Sequence, residues 1–223
     1  MNNLNHKFSI PQEELEDRLG IRLDLTIEGY DTIIPLRDLS KVDSIIYFRR
    51  DLLEKVIRNI PLRGDGSIFP YAEAKIRIYG VEPKGIMVGQ TFALESKILG
   101  IMNNLEKKFE DYIVKGLSKM LPMQVYGRNA EDKKVMAFYL PPFVERHSGK
   151  DLLIDGIHRS TICSSAGTTI CPINIDNVLV PPPFDPISWE EVKVVKEKPP
   201  IEERYKNLKI ELFRDLGYVG IDG

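Results

Sequence analysis

A strand, a tight turn and a helix follow one another without a spacer in one segment of the chain, and this order constrains the fold most. Residues 151–155 form an apolar run that is typical of a buried strand, and Asp155-Gly156 is a turn signal. Residues 158–167 then indicate a helix, and residues 168–180 indicate another strand. A short helix between two strands predicts a sheet with helices packed against it.

The rest of the chain continues this alternation. Apolar residues three and four positions apart predict helices, and apolar residues at alternate positions predict strands. The predicted helices lie in residues 10–20, 47–62 and 91–117 and in a tail that includes Tyr205, Leu208, Ile210, Leu212 and Phe213. The predicted strands lie in residues 22–39, 74–81, 122–128 and 134–146. We therefore predict an α/β or mixed α+β fold in a single domain, residues 1–223, with an N-terminal elaboration over residues 1–30.

The residues after the turn have the chemistry of an anion site. A helix N-terminus presents unpaired N–H groups and a partial positive charge, and Gly156 lets a ligand approach the backbone closely. Arg159 offers a planar fork of donors that matches phosphate, and His158 can donate a hydrogen bond or move a proton. Ser160 and Thr161 add hydroxyl groups. The cluster fits the phosphates of a nucleotide, although an ordinary strand–turn–helix connection with polar surface residues also explains it.

Four carboxylates are candidates for the acid–base and metal chemistry that phosphoryl transfer needs. Asp155 could bind Mg²⁺, accept a proton from a substrate hydroxyl, or cap the helix that follows it. Asp38, Glu95 and Glu145 are further candidate bases. Glu145 would otherwise be a solvated hairpin residue, and Glu95 would otherwise complement the dipole of a helix N-terminus.

The segment LLIDGIHRSTICSSAGTTICPINI resembles the nucleotide-binding core of the ParB/sulfiredoxin-like superfamily. In that family a strand leads into an [Asp/Gly]-Gly-x-His-Arg turn, a helix and a short strand. Its members include sulfiredoxins, the free serine kinases that use ADP or ATP, and the CTP-binding domains of ParB proteins. The Asp before the Gly is more similar to the kinase branch. The resemblance implies that Gly156, His158, Arg159 and Ser160 contact the phosphates of ATP or ADP, with CTP as the alternative.

The resemblance is good over residues 150–178 and looser from residue 136. By the family's layout, residues 63–121 are a large insertion and residues 179–223 are a C-terminal helical extension. Sulfiredoxins carry a catalytic cysteine where this chain has Ile157, so repair of sulfinic acids is not expected. The chain after residue 178 also leaves too little room for the helix-turn-helix domain of ParB proteins.

Charge and cysteine content narrow the possible partners. The formal net charge is -2 and the pI is near 6.0, so there is no overall attraction to nucleic acid or anionic membranes. Cys163 and Cys171 match no zinc-binding spacing, and two reduced thiols are favoured over a disulfide.

No apolar run of about 18 residues predicts a membrane span, and the N-terminus lacks the apolar core of a signal peptide. We therefore expect a cytoplasmic protein.

These observations predict a nucleotide-binding protein that acts as a Mg²⁺-dependent phosphotransferase or nucleotide hydrolase on an unknown small-molecule or protein acceptor. Asp155 would bind the metal or act as the base, and His158 would donate to the transferring group. Two alternatives stay open. One is a non-catalytic, nucleotide-responsive module that binds a partner, and the other is a ParB-like DNA-associated protein or nuclease. The oligomeric state is not predicted.

Overall fold

The computed structural model describes residues 9–23, 27–108 and 116–221, and it shows a mixed α/β fold. The α-helices of these residues are α1 Gln12–Leu19, α2 Arg50–Arg58, α3 Glu95–Lys108, α4 Ile157–Ser165 and α5 Ile201–Arg204. The strands are β1 Ile10–Pro11, β2 Thr32–Ile33, β3 Lys41–Tyr47, β4 Lys75–Ile78, β5 Met87–Val88, β6 Phe92–Leu94, β7 Met123–Arg128, β8 Lys134–Tyr139, β9 Phe143–His147, β10 Lys150–Asp155, β11 Ile173–Asp176 and β12 Lys193–Val195.

The described residues group into two compact units. The first unit takes its residues from Met1–Pro61, Pro122–Leu140 and Arg214–Gly223, and the second from Leu62–Leu121 and Pro141–Phe213. The segments predicted as the insertion and as most of the extension therefore belong to the same unit as the Asp155-Gly156 turn. The single-domain scheme drawn from the sequence stays a prediction.

The first unit is built on a sheet with the strand order β1-β2-β8-β7-β3. Helix α2 buries Leu53, Val56 and Ile57, which the helical period places on one face. Helix α1 ends at Gly20, which adopts the left-handed conformation with φ of 61°. Both helices were predicted from their apolar spacing and end signals, and both predictions are confirmed.

The second unit is built on a sheet with the strand order β4-β11-β9-β10-β5. Strand β10 runs antiparallel to β9 and parallel to β5, and β11 runs parallel to β9. The central strands are covered on both faces, since the consecutive residues Ile173, Asn174 and Ile175 of β11 are all buried. Strands β6 and β12 form a separate parallel pair. The β10–α4–β11 succession confirms the predicted strand, helix and strand.

Several predicted elements differ from the structure. Of the strand predicted over residues 22–39, the described part is strand only at Thr32–Ile33 and forms a 3₁₀ turn at Leu36–Asp38, while residues 24–26 lie outside the described residues. The predicted strand over residues 134–146 is divided into β8 and β9, because Pro141 and Pro142 lie between them and have no N–H to donate. Helix α3 begins only at Glu95 because residues 92–94 form β6, and the predicted helical residues 109–115 lie outside the described residues.

The predicted tail helix is wrong beyond Arg204. Tyr205 is extended, with φ of -146° and ψ of 148°, and Asn207 has φ of 51°. The ring of Tyr205 stacks on Phe184 at 5.2 Å between centroids and meets Phe213 edge-on at 5.5 Å. This aromatic packing stabilises an irregular segment although its apolar residues have helical spacing. Short 3₁₀ turns follow, the first of them at Ile210–Leu212.

Candidate functional site

The turn between β10 and α4 requires a glycine. Gly156 has φ of 94°, in the left-handed region that side chains disfavour. A Cβ at this position would lie 2.6 Å from Cβ of Pro142 and 2.7 Å from its Cγ. Pro142 belongs to the proline pair that precedes β9, so the turn packs against the start of that strand. The turn brings the start of α4 against the end of β10.

Among the described residues, no side chain caps the start of α4. The N-cap residue is Gly156, which has no side chain, and the first turn contains no acidic residue. The capping role considered for Asp155 is therefore wrong. A helix whose first N–H groups lack a side-chain acceptor retains the electrostatic preference for an anion.

Asp155 instead forms an ion pair within the motif. Its Oδ2 accepts a hydrogen bond from Nη2 of Arg159 at 3.1 Å, four residues further on. Both side chains are mostly buried, with 22% and 15% of their surfaces exposed. The carboxylate thereby holds the guanidinium beside the first turn of α4, which orients the fork of donors.

His158 has a buried ring nitrogen, Nε2, that makes no hydrogen bond to the described residues. Burial, together with the positive charges of Lys97 and Arg159, lowers the pKa of His158 to about 4. The imidazole is therefore neutral at pH 7. Because buried polar atoms almost always have a partner, this nitrogen is a candidate contact for a ligand.

The two hydroxyl residues of the motif differ. Ser160 is 1% exposed, and its Oγ also makes no hydrogen bond to the described part of the chain. Thr161 donates its hydroxyl proton to the carbonyl oxygen of Ile157 at 2.8 Å, within α4. Ser160 is therefore the stronger candidate for a ligand contact, and the role predicted for Thr161 stays a prediction.

Glu145 is fully buried, so the alternative of a solvated hairpin residue is wrong. Its Oε1 accepts a hydrogen bond from the Tyr71 hydroxyl at 2.5 Å, and its Oε2 lies 2.6 Å from Nε2 of His147. The strand period puts Phe143, Glu145 and His147 on one face of β9, and Phe143 is buried, which is a sequence signal for this burial. Both carboxylate oxygens are thus bonded within the protein.

The other two candidate bases lie outside the motif. Asp38 ends the 3₁₀ turn Leu36–Asp38 of the first unit, and the turn at Gly156 belongs to the second unit. Glu95 is the exposed first residue of α3, a helix that packs against α4. Sequence reasoning missed Lys97, two residues after Glu95, whose charge reaches His158. Nothing in the local pattern marks Lys97, because its proximity depends on how α3 packs.

The cysteines are thiols, and the described residues contain neither a metal-binding cluster nor a helix that could span a membrane. Cys163 and Cys171 are free thiols, and burial raises the pKa of Cys163 to about 11. Within residues 9–23, 27–108 and 116–221, no three or more His, Cys, Asp or Glu side chains converge as a metal site. Over the same ranges, no helix combines the length and apolar character needed to cross a bilayer.

Comparison with protein-family models, with curated proteins and with solved structures gave no match to this chain. The ParB/sulfiredoxin-like assignment therefore rests on the motif residues and stays a prediction.

We predict a specific pH dependence from His158. Its pKa in the folded protein, about 4, is below the ordinary value of 6.5, so the unfolded chain takes up a proton that the folded protein does not. Stability should therefore fall as the pH is lowered from 6.5 to 4. Urea unfolding at pH 7.5, 5.5 and 4.5 should show a smaller loss for His158→Gln than for the wild-type protein. An imidazole titration midpoint near 6.5 by NMR would contradict this environment.

Proposed function

We propose that the second unit binds the phosphates of a nucleotide, ATP or ADP, at the turn between β10 and α4. The observation that carries this proposal is the uncapped first turn of α4, beside which His158 keeps a buried nitrogen without a described protein partner. Gly156 lets the turn pack closely against Pro142, and Arg159 supplies a positive charge in a fixed orientation.

We further propose phosphoryl transfer or nucleotide hydrolysis, in the cytoplasm, as the activity. Mg²⁺ commonly binds through one or two carboxylates together with substrate phosphates, and Asp155 is the motif carboxylate that could take this role. Bound Mg²⁺ would neutralise phosphate charge during transfer. Neutral His158 would donate a hydrogen bond to a phosphate oxygen, and the N–H groups of α4 would stabilise negative charge. The acceptor would be a small molecule or a protein.

A non-catalytic, nucleotide-responsive module is the second candidate. The observation that favours it is that the carboxylates of Asp155 and Glu145 are both engaged within the protein. A general base must reach the proton that it abstracts. This candidate has the same ligand site but no turnover.

Isothermal titration of ATP, ADP and CTP with Mg²⁺ tests the binding site. Arg159→Ala should weaken binding at least tenfold, since a charge-assisted hydrogen bond contributes roughly 1.5–3 kcal/mol and about 1.4 kcal/mol corresponds to tenfold in affinity. Asp155→Asn is the matched control, because it removes the ion pair and keeps the guanidinium, so nucleotide should still bind in the absence of Mg²⁺. Wild-type affinity in Arg159→Ala, with its fold confirmed by circular dichroism, would contradict the proposal.

Release of phosphate or of a phosphorylated product separates the two candidates. Turnover by the wild-type protein that is lost in Asp155→Asn supports phosphoryl transfer. Saturable binding without turnover over a panel of hydroxyl acceptors supports the non-catalytic module.

A further inference from the structure

Three cations lie together in the second unit without a carboxylate at ion-pair distance. Lys97, Lys198 and Arg204 form no ion pair within 4.0 Å among the described residues. None of them belongs to the motif, and Lys198 and Arg204 come from the segment that follows β12. We call these three residues the cation cluster.

Strand pairing brings the cation cluster together. In the parallel β6–β12 pair, Leu94 lies opposite Val195. Lys97 comes three residues after Leu94, and Lys198 comes three residues after Val195. Both lysines therefore leave the same end of the pair. Glu95 and Glu197 are their neighbours in sequence but do not pair with them.

Backbone contacts bring Arg204 to the same place. Thr91, just before β6, donates its N–H to the carbonyl oxygen of Arg204 at 3.0 Å and its hydroxyl to that of Glu203 at 2.6 Å. Nε of Arg204 donates a hydrogen bond to the carbonyl oxygen of Pro199 at 2.7 Å. Because Pro199 directly follows Lys198 in the chain, this bond holds the guanidinium close to Lys198.

Lys97 connects the cation cluster to the motif. Helix α4 packs against both β6 and α3, which carries Lys97. The positive charge of Lys97 lowers the pKa of His158, and the charges of Arg204 and Lys97 add to burial in lowering the pKa of Lys198. The same positive charge thus acts on the motif and on Lys198.

Another cationic surface of the unit has two of its three cations in ion pairs. A hollow of about 330 Å³ is lined by Lys75, Arg77 and Arg146, together with Asp176 and Asn177. Arg77 lies 3.3 Å from Asp176, and Arg146 lies 3.8 Å from Asp151. Like charges that repel one another without such partners are stabilised when an anion binds between them. This contrast points to the cation cluster as the ligand site.

We propose that the cation cluster binds the outer phosphates of a polyphosphate chain whose first phosphate lies at the turn of Gly156. This inference rests on the proposed function and makes it more specific, because it assigns the residues that hold the phosphates beyond the first. The motif holds one phosphate, and Lys97, Lys198 and Arg204 hold those beyond it. The segment after β12 is thereby part of the binding site.

Titration of AMP, ADP, ATP and inorganic tripolyphosphate into Lys198→Ala and Lys97→Ala tests this assignment. Each variant should weaken ATP and tripolyphosphate at least fivefold and should leave AMP within twofold. Lys196→Ala is the matched control, since Lys196 is exposed like Lys97 and Lys198 but lies outside the cation cluster, two residues before Lys198, and should change nothing. Arg204 is not substituted because its Nε bonds the backbone.

The outcomes separate this inference from the proposed function. If Arg159→Ala abolishes binding while both lysine variants keep the wild-type preference for ATP over AMP, the cation cluster is not part of the site and the motif still is. If tripolyphosphate binding depends on Lys198 but not on Arg159, the cation cluster binds anions and the motif proposal fails. If both lysine variants weaken AMP as much as ATP, the assignment to outer phosphates is overturned.

Discussion

Gly156→Ala is expected to destabilise the second unit by roughly 3 kcal/mol, because two costs add. A non-glycine residue in the left-handed region costs about 1–2 kcal/mol, and overpacking costs about 1–3 kcal/mol. The new Cβ would lie 2.6–2.9 Å from three atoms of Pro142, one of them backbone. Moving them apart would displace the start of α4 from the end of β10. Urea denaturation and nucleotide titration should both show the loss.

Gly167→Ala is the matched control for this prediction. Gly167 also has a positive φ, 63°, but a Cβ there would have no neighbour within 4 Å. It should therefore show only the conformational cost, about 1 kcal/mol, with unchanged nucleotide binding. Equal destabilisation by the two substitutions would mean that the contact with Pro142 contributes nothing.

Glu145→Ala is expected to destabilise the protein by roughly 3 kcal/mol, because it leaves a buried Tyr71 hydroxyl without this acceptor and opens a cavity. Tyr71→Phe removes one hydrogen bond and should cost less, about 1.5 kcal/mol. The free energy of unfolding from urea titration gives both values, and the double variant measures their coupling.

The exposed Glu131 provides the comparison. It pairs with Lys133 at 2.7 Å on the surface, and Glu131→Ala should change stability by less than about 0.5 kcal/mol. If Glu145→Ala changed the free energy of unfolding as little as Glu131→Ala, the buried carboxylate would not be needed for the fold. That result would favour the alternative that Glu145 is a catalytic base.

Elements specified by local chemistry could be predicted from the sequence. Helix α2 has a buried stripe at helical spacing, and α4 follows an Asp-Gly turn in which Gly156 has a positive φ. The tail helix failed because distant partners, Phe184 and Phe213, stabilise Tyr205 in an extended conformation. Apolar spacing reports which residues are buried but not which elements cover them.

The candidate site, too, could be predicted only where its residues are close together in the sequence. The motif residues are contiguous, so their grouping at the head of α4 could be predicted. The burial of Glu145 could have been predicted from its alternation with Phe143. The position of Lys198 beside Lys97 could not have been predicted, because it depends on the pairing of β6 with β12, and these strands are far apart in the chain. Contacts of this kind leave no local signal.

The most direct measurement of the central claim is a titration of ¹⁵N-labelled protein with Mg²⁺-ATP, followed through the backbone amides. We predict that the largest saturable shifts occur at Ile157, His158, Arg159 and Ser160, the N–H groups at the head of α4, and that Arg159→Ala removes them. If ATP leaves these amides unshifted, or shifts only amides outside the turn, the turn does not bind phosphate.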